Sequence, residues 1–251
     1  MTSRNKQVIT IYSPQGGSGK TTLAIATAMI SAQSGKKTLL VDGAIYGSLQ
    51  AAFHLAGTEG RGLEAAISQN EIGRNSDEIR GYLEKTLEEE KQEKNLTILT
   101  NSDPVAMDKL RENQAGAILD IVLGLNADTI IVDTSSELSE FNLLLVERSN
   151  RVIVPISGDI SSVYRYRAFH RIYRQAGLDE GKLKIVLNMT HKLYSLRSEE
   201  AEERCESPVI ANIPDYGEDF KRRNNEGITP LKMGLKIKKS FTAAAETILQ
   251  K

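Results

Sequence analysis

The feature that most limits how this chain can fold is a glycine-rich segment placed between a strand pattern and a helix pattern. The run Val8–Tyr12 is rich in β-branched residues, and residues 13–22 (SPQGGSGKTT) follow it directly. The glycines of this segment are Gly16, Gly17 and Gly19. Glycine allows backbone conformations that side chains would block, so consecutive N–H groups can point into one concave loop. A helix that begins near Lys20 adds the partial positive charge of its N-terminus, and together these features predict a cradle for phosphate groups.

Side chains of the same segment predict a nucleoside triphosphate with Mg²⁺ as the ligand. Lys20 would reach the β- and γ-phosphates, Thr21 would offer its hydroxyl to Mg²⁺, and Thr22 would lie near the α-phosphate. A dinucleotide site of the G-x-G-x-x-G type is rejected, because its third position falls on Thr22, where close helix packing needs glycine or alanine. The predicted nucleotide-binding residues of the loop are Gln15, Gly16, Gly17, Ser18, Gly19, Lys20, Thr21 and Thr22.

Short apolar runs alternate with helical patterns along the chain, which predicts an α/β fold. The predicted strands are Val8–Tyr12, Thr38–Val41, Leu96–Leu99, Thr129–Val132, Arg151–Pro155, Lys184–Leu187 and Val209–Ala211. The predicted helices cover residues 20–34, 76–94, 106–124, 138–149, 160–176, 216–225 and 235–250. This order favours one doubly wound, mostly parallel sheet with helices on both faces. No linker or repeat interrupts it, so residues 1–251 form a single predicted domain, with its ligand site at the carboxyl ends of the strands.

Composition excludes several classes of function. The chain has 32 Lys and Arg against 33 Asp and Glu, so no overall basic charge attracts nucleic acid or anionic lipid. Cys205 is the only cysteine, which excludes an internal disulfide and a cysteine-rich metal site within one chain. The polar residues 1–7 and the short apolar run after them are typical of neither a signal peptide nor a membrane span. These features predict a cytoplasmic protein.

The loop resembles the deviant Walker A sequence KGGxGKTT of the ParA/MinD family of ATPases. Further segments resemble other motifs of that family in the same order, namely KKTLLVDGAIYGSLQ at 36–50, ADTIIVDTSSE at 127–137, KIVLNMTHK at 184–192 and SPVIANIPDYGEDFKRRNNEG at 207–227. The resemblance covers nearly the whole chain. It implies the P-loop NTPase fold, with ATP and Mg²⁺ as cofactors.

The same resemblance implies roles for residues outside the loop. Asp42 would belong to switch I, and Asp133 would hold a water bound to Mg²⁺. Asn188 would read the adenine, while Pro214 and Asp215 would lie against the base. The implied catalytic residues are Lys20, Asp42 and Asp133, and the implied Mg²⁺ site consists of Thr21, Asp42 and Asp133, partly through water.

Two positions depart from the family pattern. Gln15 stands where the family has its signature lysine, which reaches the phosphates of the partner subunit in a dimer. Ala44 stands where switch I usually has a second aspartate that helps to position the attacking water. Phosphoryl transfer depends on positioning and on charge stabilisation in the transition state. Gln15 lacks the stabilising charge, and Ala44 lacks the carboxylate that positions water. We therefore expect nucleotide binding with slow or absent hydrolysis.

Two further segments raise the question of partners. Residues 161–177 predict an amphipathic helix with one apolar face and with Arg167, Arg171 and Arg174 on another. These arginines could contact DNA or an acidic partner, but three of them make a small footprint, so a solvated face is favoured. Residues 235–241 (LKIKKSF) are similar to the membrane-targeting tails of the family's cell-division members. However, Leu235, Phe241 and Ala245 continue a one-sided stripe typical of a core helix, which disfavours membrane binding.

Within the family, the segment YSPQGGSGKTTLA looks most similar to the TadZ/CpaE branch, which helps to place pilus assembly machines at a cell pole. This resemblance implies a homodimer with ATP at its interface that organises protein partners of a polar machine. The alternative is a cycling partition-type ATPase that binds nucleoid DNA and is stimulated by a partner protein. TadZ/CpaE relatives often carry a receiver-like domain before the ATPase domain, so the chain could also be cut from a longer protein.

Overall fold

The computed structural model describes residues 6–55, 60–89, 94–110 and 114–250, and their strands form one parallel sheet of seven. The spatial order of the strands is β3-β2-β4-β1-β5-β6-β7. Their bounds are β1 Gln7–Ile11, β2 Thr38–Gly43, β3 Leu96–Leu99, β4 Thr129–Thr134, β5 Arg151–Ser157, β6 Leu183–Thr190 and β7 Val209–Pro214. All seven predicted strands are confirmed, and most of them extend beyond the predicted carboxyl end, where polar residues continue the ladder.

Eleven α-helices lie in the described part of the chain. They are α1 Lys20–Gln33, α2 Leu49–Ala52, α3 Leu63–Glu71, α4 Ser76–Glu89, α5 Pro104–Lys109, α6 Ala115–Gly124, α7 Glu140–Arg148, α8 Ile160–Gln175, α9 Ser198–Cys205, α10 Gly217–Asn225 and α11 Leu235–Leu249. Helices α2, α3 and α9 are absent from the prediction. The end of the predicted helix 76–94 falls partly on residues 90–93, which lie outside the described residues.

The predicted single helix over residues 106–124 corresponds to two helices in the described part of the chain. Helix α5 begins earlier, at Pro104, since the side chain of Asp103 accepts hydrogen bonds from the backbone N–H groups of Val105 and Ala106. Proline suits the first helical position because its missing N–H needs no partner there. Helix α6 begins at Ala115, and residues 111–113 lie outside the described residues.

The central strands are covered on both faces, which explains their continuous apolar sequence. In β4, Ile130 packs among the helices α3 to α7, whereas the next residue, Ile131, packs against α1 and α11 on the opposite side. Both side chains are fully buried. This arrangement confirms the prediction of a doubly wound sheet with helices on both faces.

Helix α11 covers one side of the core through Ile237, Phe241, Ala245 and Ile248, all of which are buried. Leu235 was predicted to share this stripe, but its side chain is 82% exposed because it occupies the first turn, beyond the edge of the packed surface. No helix in the described ranges is both long and apolar enough to span a bilayer.

The parallel arrangement brings the predicted site residues to one edge of the sheet. Asp42 lies opposite Asp133 where β2 pairs with β4, and Ile11 of β1 lies opposite Asp133 on its other side. The glycine-rich loop follows β1 directly, and Asn188 lies near the carboxyl end of β6. Residues from four strands therefore converge on one loop.

Candidate nucleotide-binding site

The glycine-rich loop adopts left-handed backbone angles at two positions, with φ of 71° at Gly17 and 89° at Gly19. Gly16, which was predicted to share this property, does not have a positive φ. At Gly19 a side chain is also excluded by space, since a Cβ atom would lie 2.2 Å from Nδ2 of Asn188. Gly19 directly precedes the first residue of α1, so the N-terminus of that helix lies at the loop, as predicted.

Lys20 folds back over the loop. Its Nζ atom donates hydrogen bonds to the backbone oxygen of Gln15 at 3.2 Å and to Oγ of Ser136 at 2.5 Å. Burial lowers the pKa of Lys20, while the negative charges of Asp133 and Glu137 act in the opposite direction. The ammonium group is thus held at the mouth of the loop by neutral oxygens, which a phosphate oxygen could replace with a stronger, charge-assisted bond.

Thr21 and Asp133 form the second part of the site. The hydroxyl of Thr21 donates a hydrogen bond of 2.6 Å to Oδ2 of Asp133, and it lies 3.4 Å from the hydroxyl of Ser48. Asp133 is fully buried at the end of β4. The hydroxyl and the carboxylate predicted to serve Mg²⁺ are therefore in direct contact.

Two buried carboxyl groups lie side by side on neighbouring strands. Burial and, after it, the nearby charge of Asp42 raise the pKa of Asp133 to about 7, against the hydrogen bond from Thr21. Burial likewise raises the pKa of Asp42 to about 6, against the backbone N–H groups of Leu49 and Ser48. Both groups would gain from a nearby cation, because the cost of their burial falls on the charged form.

The residues present fit Mg²⁺. Within the described ranges, Oδ1 of Asp42 and Oδ1 of Asp133 are buried without a hydrogen-bond partner. A buried oxygen without a partner is costly, and magnesium prefers oxygen ligands of this kind. Together with the hydroxyl of Thr21, they supply the donor set that the sequence predicted. Bound there, the ion would neutralise negative charge on nucleotide phosphates.

Asp42 also anchors the segment that the family resemblance implies is switch I. Its Oδ2 atom accepts hydrogen bonds from the backbone N–H groups of Ser48 at 2.8 Å and Leu49 at 2.9 Å, which fixes the start of α2. Asn101, at the end of β3, donates from Nδ2 to the backbone oxygens of Ala44 at 2.6 Å and Ile45 at 3.2 Å. The segment is therefore anchored from both sides, and Ala44 contributes no carboxylate to it.

Gln15 makes its side-chain contacts within its own subunit. Its Nε2 atom donates to Oγ of Ser157 at 3.3 Å, and its Oε1 atom accepts a hydrogen bond of 2.5 Å from the hydroxyl of Ser162. The backbone N–H of Ser162 donates to Oδ1 of Asp159, the residue that caps the N-terminus of α8. Gln15 thus connects the loop to the end of β5 and to the first turn of α8.

The remaining predicted residues lie at the same edge of the sheet. Nδ2 of Asn188 donates a hydrogen bond of 2.8 Å to the backbone oxygen of Ser18, so its amide supports the loop. Pro214 and Asp215 lie exposed at the end of β7, where the N–H of Asp215 donates to the oxygen of Thr190. That these residues contact an adenine stays a prediction. Thr22 is half-buried in the first turn of α1.

Several residues of the site are absent from the prediction. The missed residues are Ser48, Glu64, Asn101, Ser136, Ser157 and Ser162. Glu64 is buried and accepts hydrogen bonds from the backbone N–H groups of Gly60 and Gly62 and from the hydroxyl of Ser102. The only sequence signal for most of them is their place just after a predicted strand, which selects too many residues to be specific.

Comparison with known proteins agrees with this arrangement. The AAA domain family model AAA_31 matches residues 6–175. The chain belongs to the ParA/MinD family. It is similar to the septum site-determining protein MinD of Thermotoga maritima, with 25% identity over 249 residues that cover 96% of this chain and 87% of that protein.

Solved structures of family members share the fold. MinD of Pyrococcus horikoshii in complex with Mg-ADP matches with a TM-score of 0.73 and 21% identity, covering 98% of this chain and 96% of that one. A plasmid partition protein of Borrelia burgdorferi bound to AMPPNP matches with a TM-score of 0.75 and 18% identity, covering 98% of both chains. This ParA/MinD protein therefore has the P-loop NTPase fold that its sequence predicted.

Proposed function

We propose that this ParA/MinD protein binds Mg·ATP at the loop 13–22 and hydrolyses it slowly. The observation that carries the proposal is the direct contact of Thr21 with Asp133 beside a lysine held only by neutral oxygens. This group of residues supplies binding interactions for phosphate and Mg²⁺ in the ground state. The nucleotides named for the Pyrococcus and Borrelia structures support the same ligand.

Slow hydrolysis follows from the two departures at Gln15 and Ala44. A neutral amide stands where the family has a charge that acts in trans, and it already bonds to Ser157 and Ser162 of its own subunit. Supplying charge in trans is worth about 10³- to 10⁵-fold in rate in other phosphoryl transfers. Ala44 removes the carboxylate that would position water, so both losses act on the transition state and leave binding intact.

In this proposal ATP acts as a ligand that favours a face-to-face homodimer. Exposed apolar side chains follow three strands at the nucleotide edge, namely Tyr46 after β2, Leu138 after β4 and Tyr194 after β6. A second subunit that covers this edge would bury them and enclose the nucleotide. Binding free energy would then shift the population from monomer to dimer.

The cellular role that we propose is spatial organisation of a polar machine, such as pilus assembly, in the cytoplasm. The similarity of the segment YSPQGGSGKTTLA to the TadZ/CpaE branch supports this role. An organiser needs a nucleotide-stabilised dimer that recruits proteins, and it does not need rapid turnover. A partition-type ATPase that cycles on DNA needs turnover, so the rate of hydrolysis separates the two functions.

The test is ATP turnover at saturating Mg·ATP, beside equilibrium nucleotide binding and sedimentation with and without nucleotide. We expect tight binding, a nucleotide-dependent dimer and turnover near background. Gln15→Lys with Ala44→Asp should raise turnover, because the pair restores the charge that acts in trans and the carboxylate that positions water. Gln33→Lys with Ala243→Asp makes the same exchanges at exposed positions away from the loop and should leave turnover unchanged. Robust turnover in the unmodified chain would refute the proposal.

A further inference from the structure

Helix α8 exposes arginines that have no partner within the structure. The side chains of Arg167 and Arg171 are exposed on successive turns, and neither forms an ion pair or hydrogen bond with another described residue. Arg174, one turn further on, differs because it bonds to Glu180 at 2.9 Å and to Glu206 at 3.3 Å. The sequence places the three arginines on one helix face, but the structure distinguishes them. Arg174 is held in ion pairs, whereas Arg167 and Arg171 are available to a partner.

The two available arginines line a cleft of about 300 Å³ between α8 and the end of α9. The buried Cys205 and the ion pair of Arg174 with Glu206 also line it, and that ion pair links the two helices across the cleft. Arg167 and the thiol of Cys205 line the same cleft, and the charge of Arg167 lowers the pKa of that thiol against the larger effect of burial. The cleft is thus bounded by two helices, and the unpaired charges that line it, Arg167 and Arg171, are positive.

We propose that this cleft and the adjoining exposed face of α8 dock a short acidic segment of a partner protein. Guanidinium groups pair with carboxylates through two parallel hydrogen bonds, and residues at i and i+4 present two such groups on one helix face. Because neither arginine has a partner in the described structure, a partner's carboxylates would not have to displace an existing ion pair.

The neighbouring surface favours a protein segment over duplex DNA. Helix α9, whose end lines the cleft, exposes Glu199 and Glu203. A duplex laid across both helices would bring its phosphates towards these carboxylates, whereas a short segment can confine its own carboxylates to α8 beside Arg167 and Arg171. The exposed face of α8 also carries Tyr164, 73% exposed, and Ile172, 37% exposed. Apolar side chains of a peptide can pack against both residues, whereas a phosphate backbone could bind only the hydroxyl of Tyr164 and would leave Ile172 without a contact.

The experiment measures fluorescence anisotropy of a short labelled peptide rich in Glu and Asp, with interspersed Leu, on the full chain without nucleotide. We expect Arg167→Glu with Arg171→Glu to weaken binding by about tenfold or more, because two exposed charge pairs become repulsions. Arg167→Lys with Arg171→Lys should weaken it less, since charge remains while the paired hydrogen bonds are lost. The matched control, Lys236→Glu with Lys239→Glu, changes the net charge equally on exposed positions of α11 and should leave binding unchanged.

Three results would overturn the proposal. They are no binding of the peptide to the unmodified chain, equal weakening by the α8 and α11 variants, and tighter binding of a labelled DNA duplex than of the peptide through the same arginines. Circular dichroism of each variant checks that the helices remain formed. Because the measurement needs no nucleotide, its result is independent of whether ATP binds or is hydrolysed.

Discussion

The three glycines of the phosphate loop differ in backbone angle and in surrounding space, so alanine should cost a different free energy at each. Gly16 has no positive φ, and no atom lies within 4 Å of the place that a Cβ atom would take, so Gly16→Ala should change the free energy of unfolding by less than about 0.5 kcal/mol. Gly17 has the same open space but a φ of 71°. There alanine should cost about 1–2 kcal/mol, the penalty of a left-handed residue with a Cβ atom.

Gly19 should be the most sensitive of the three. Its φ of 89° brings the same backbone penalty, and the added Cβ would lie 2.2 Å from Nδ2 of Asn188. The amide of Asn188 can move only by giving up its hydrogen bond to the backbone oxygen of Ser18, which leaves buried polar groups without partners. That loss costs about 1–3 kcal/mol, so Gly19→Ala should cost about 2–5 kcal/mol in total.

Urea denaturation of each variant without nucleotide measures these costs as shifts of the midpoint at constant slope. Repeating Gly19→Ala in an Asn188→Ala background removes the steric conflict, so there the substitution should cost only the backbone penalty. The difference between the two backgrounds is the coupling energy, expected at about 1–3 kcal/mol. Equal effects at Gly17 and Gly19, or a coupling near zero, would refute the packing of Asn188 against the loop.

Three other predictions concern groups outside the loop. Burial raises the pKa of Cys205 to about 11, so Ellman's reagent should react with it at pH 8 only after unfolding, and stability should fall as the pH rises from about 9 towards 11, because the unfolded thiol ionises first. Ile153→Ala in the central strand β5, where the side chain is fully buried, should lower the free energy of unfolding by about 2–5 kcal/mol in urea, whereas Ile153→Val should cost about 0.5–1.5 kcal/mol. Asp159→Ala should remove the N-cap of α8 and cost about 0.5–2 kcal/mol, while Asp159→Asn should retain most of it; equal losses would contradict the capping role.

The strands were predictable from the sequence because burial on both faces requires a continuous run of apolar residues. Residues such as Ile130 and Ile131 are both apolar since each faces a different helical layer, and this continuous pattern marks a parallel strand. The short helices α2 and α3 have no comparably clear sequence pattern. Helix α2 has four residues and begins where Asp42 accepts two backbone N–H groups, which is a tertiary contact rather than a local signal.

The contacts of the site show the same division between local and distant information. The left-handed backbone angles at Gly17 and Gly19 depend on local sequence, and the glycines themselves indicate where such angles can occur. The partners of the loop are not local: Lys20 bonds to Ser136, and Asn188 bonds to Ser18, across more than a hundred residues in each case. A motif can indicate that a lysine will face phosphate. Only the order of strands in the sheet decides which hydroxyl accepts a hydrogen bond from that lysine when no nucleotide is bound.

Gln15 illustrates why a departure from a family motif needs the structure for its interpretation. The sequence alone indicates a missing positive charge at this position. The structure adds that the side chain joins the loop to Ser157 at the end of β5 and to Ser162 in the first turn of α8. A lysine at this position could donate to the serine oxygens but would offer no acceptor to the hydroxyl of Ser162, whereas glutamine offers one donor and one acceptor that match the two serines. The amide of Gln15 therefore fits the hydrogen bonding within its own subunit, but it lacks the positive charge that a lysine would bring to the phosphates of the partner subunit.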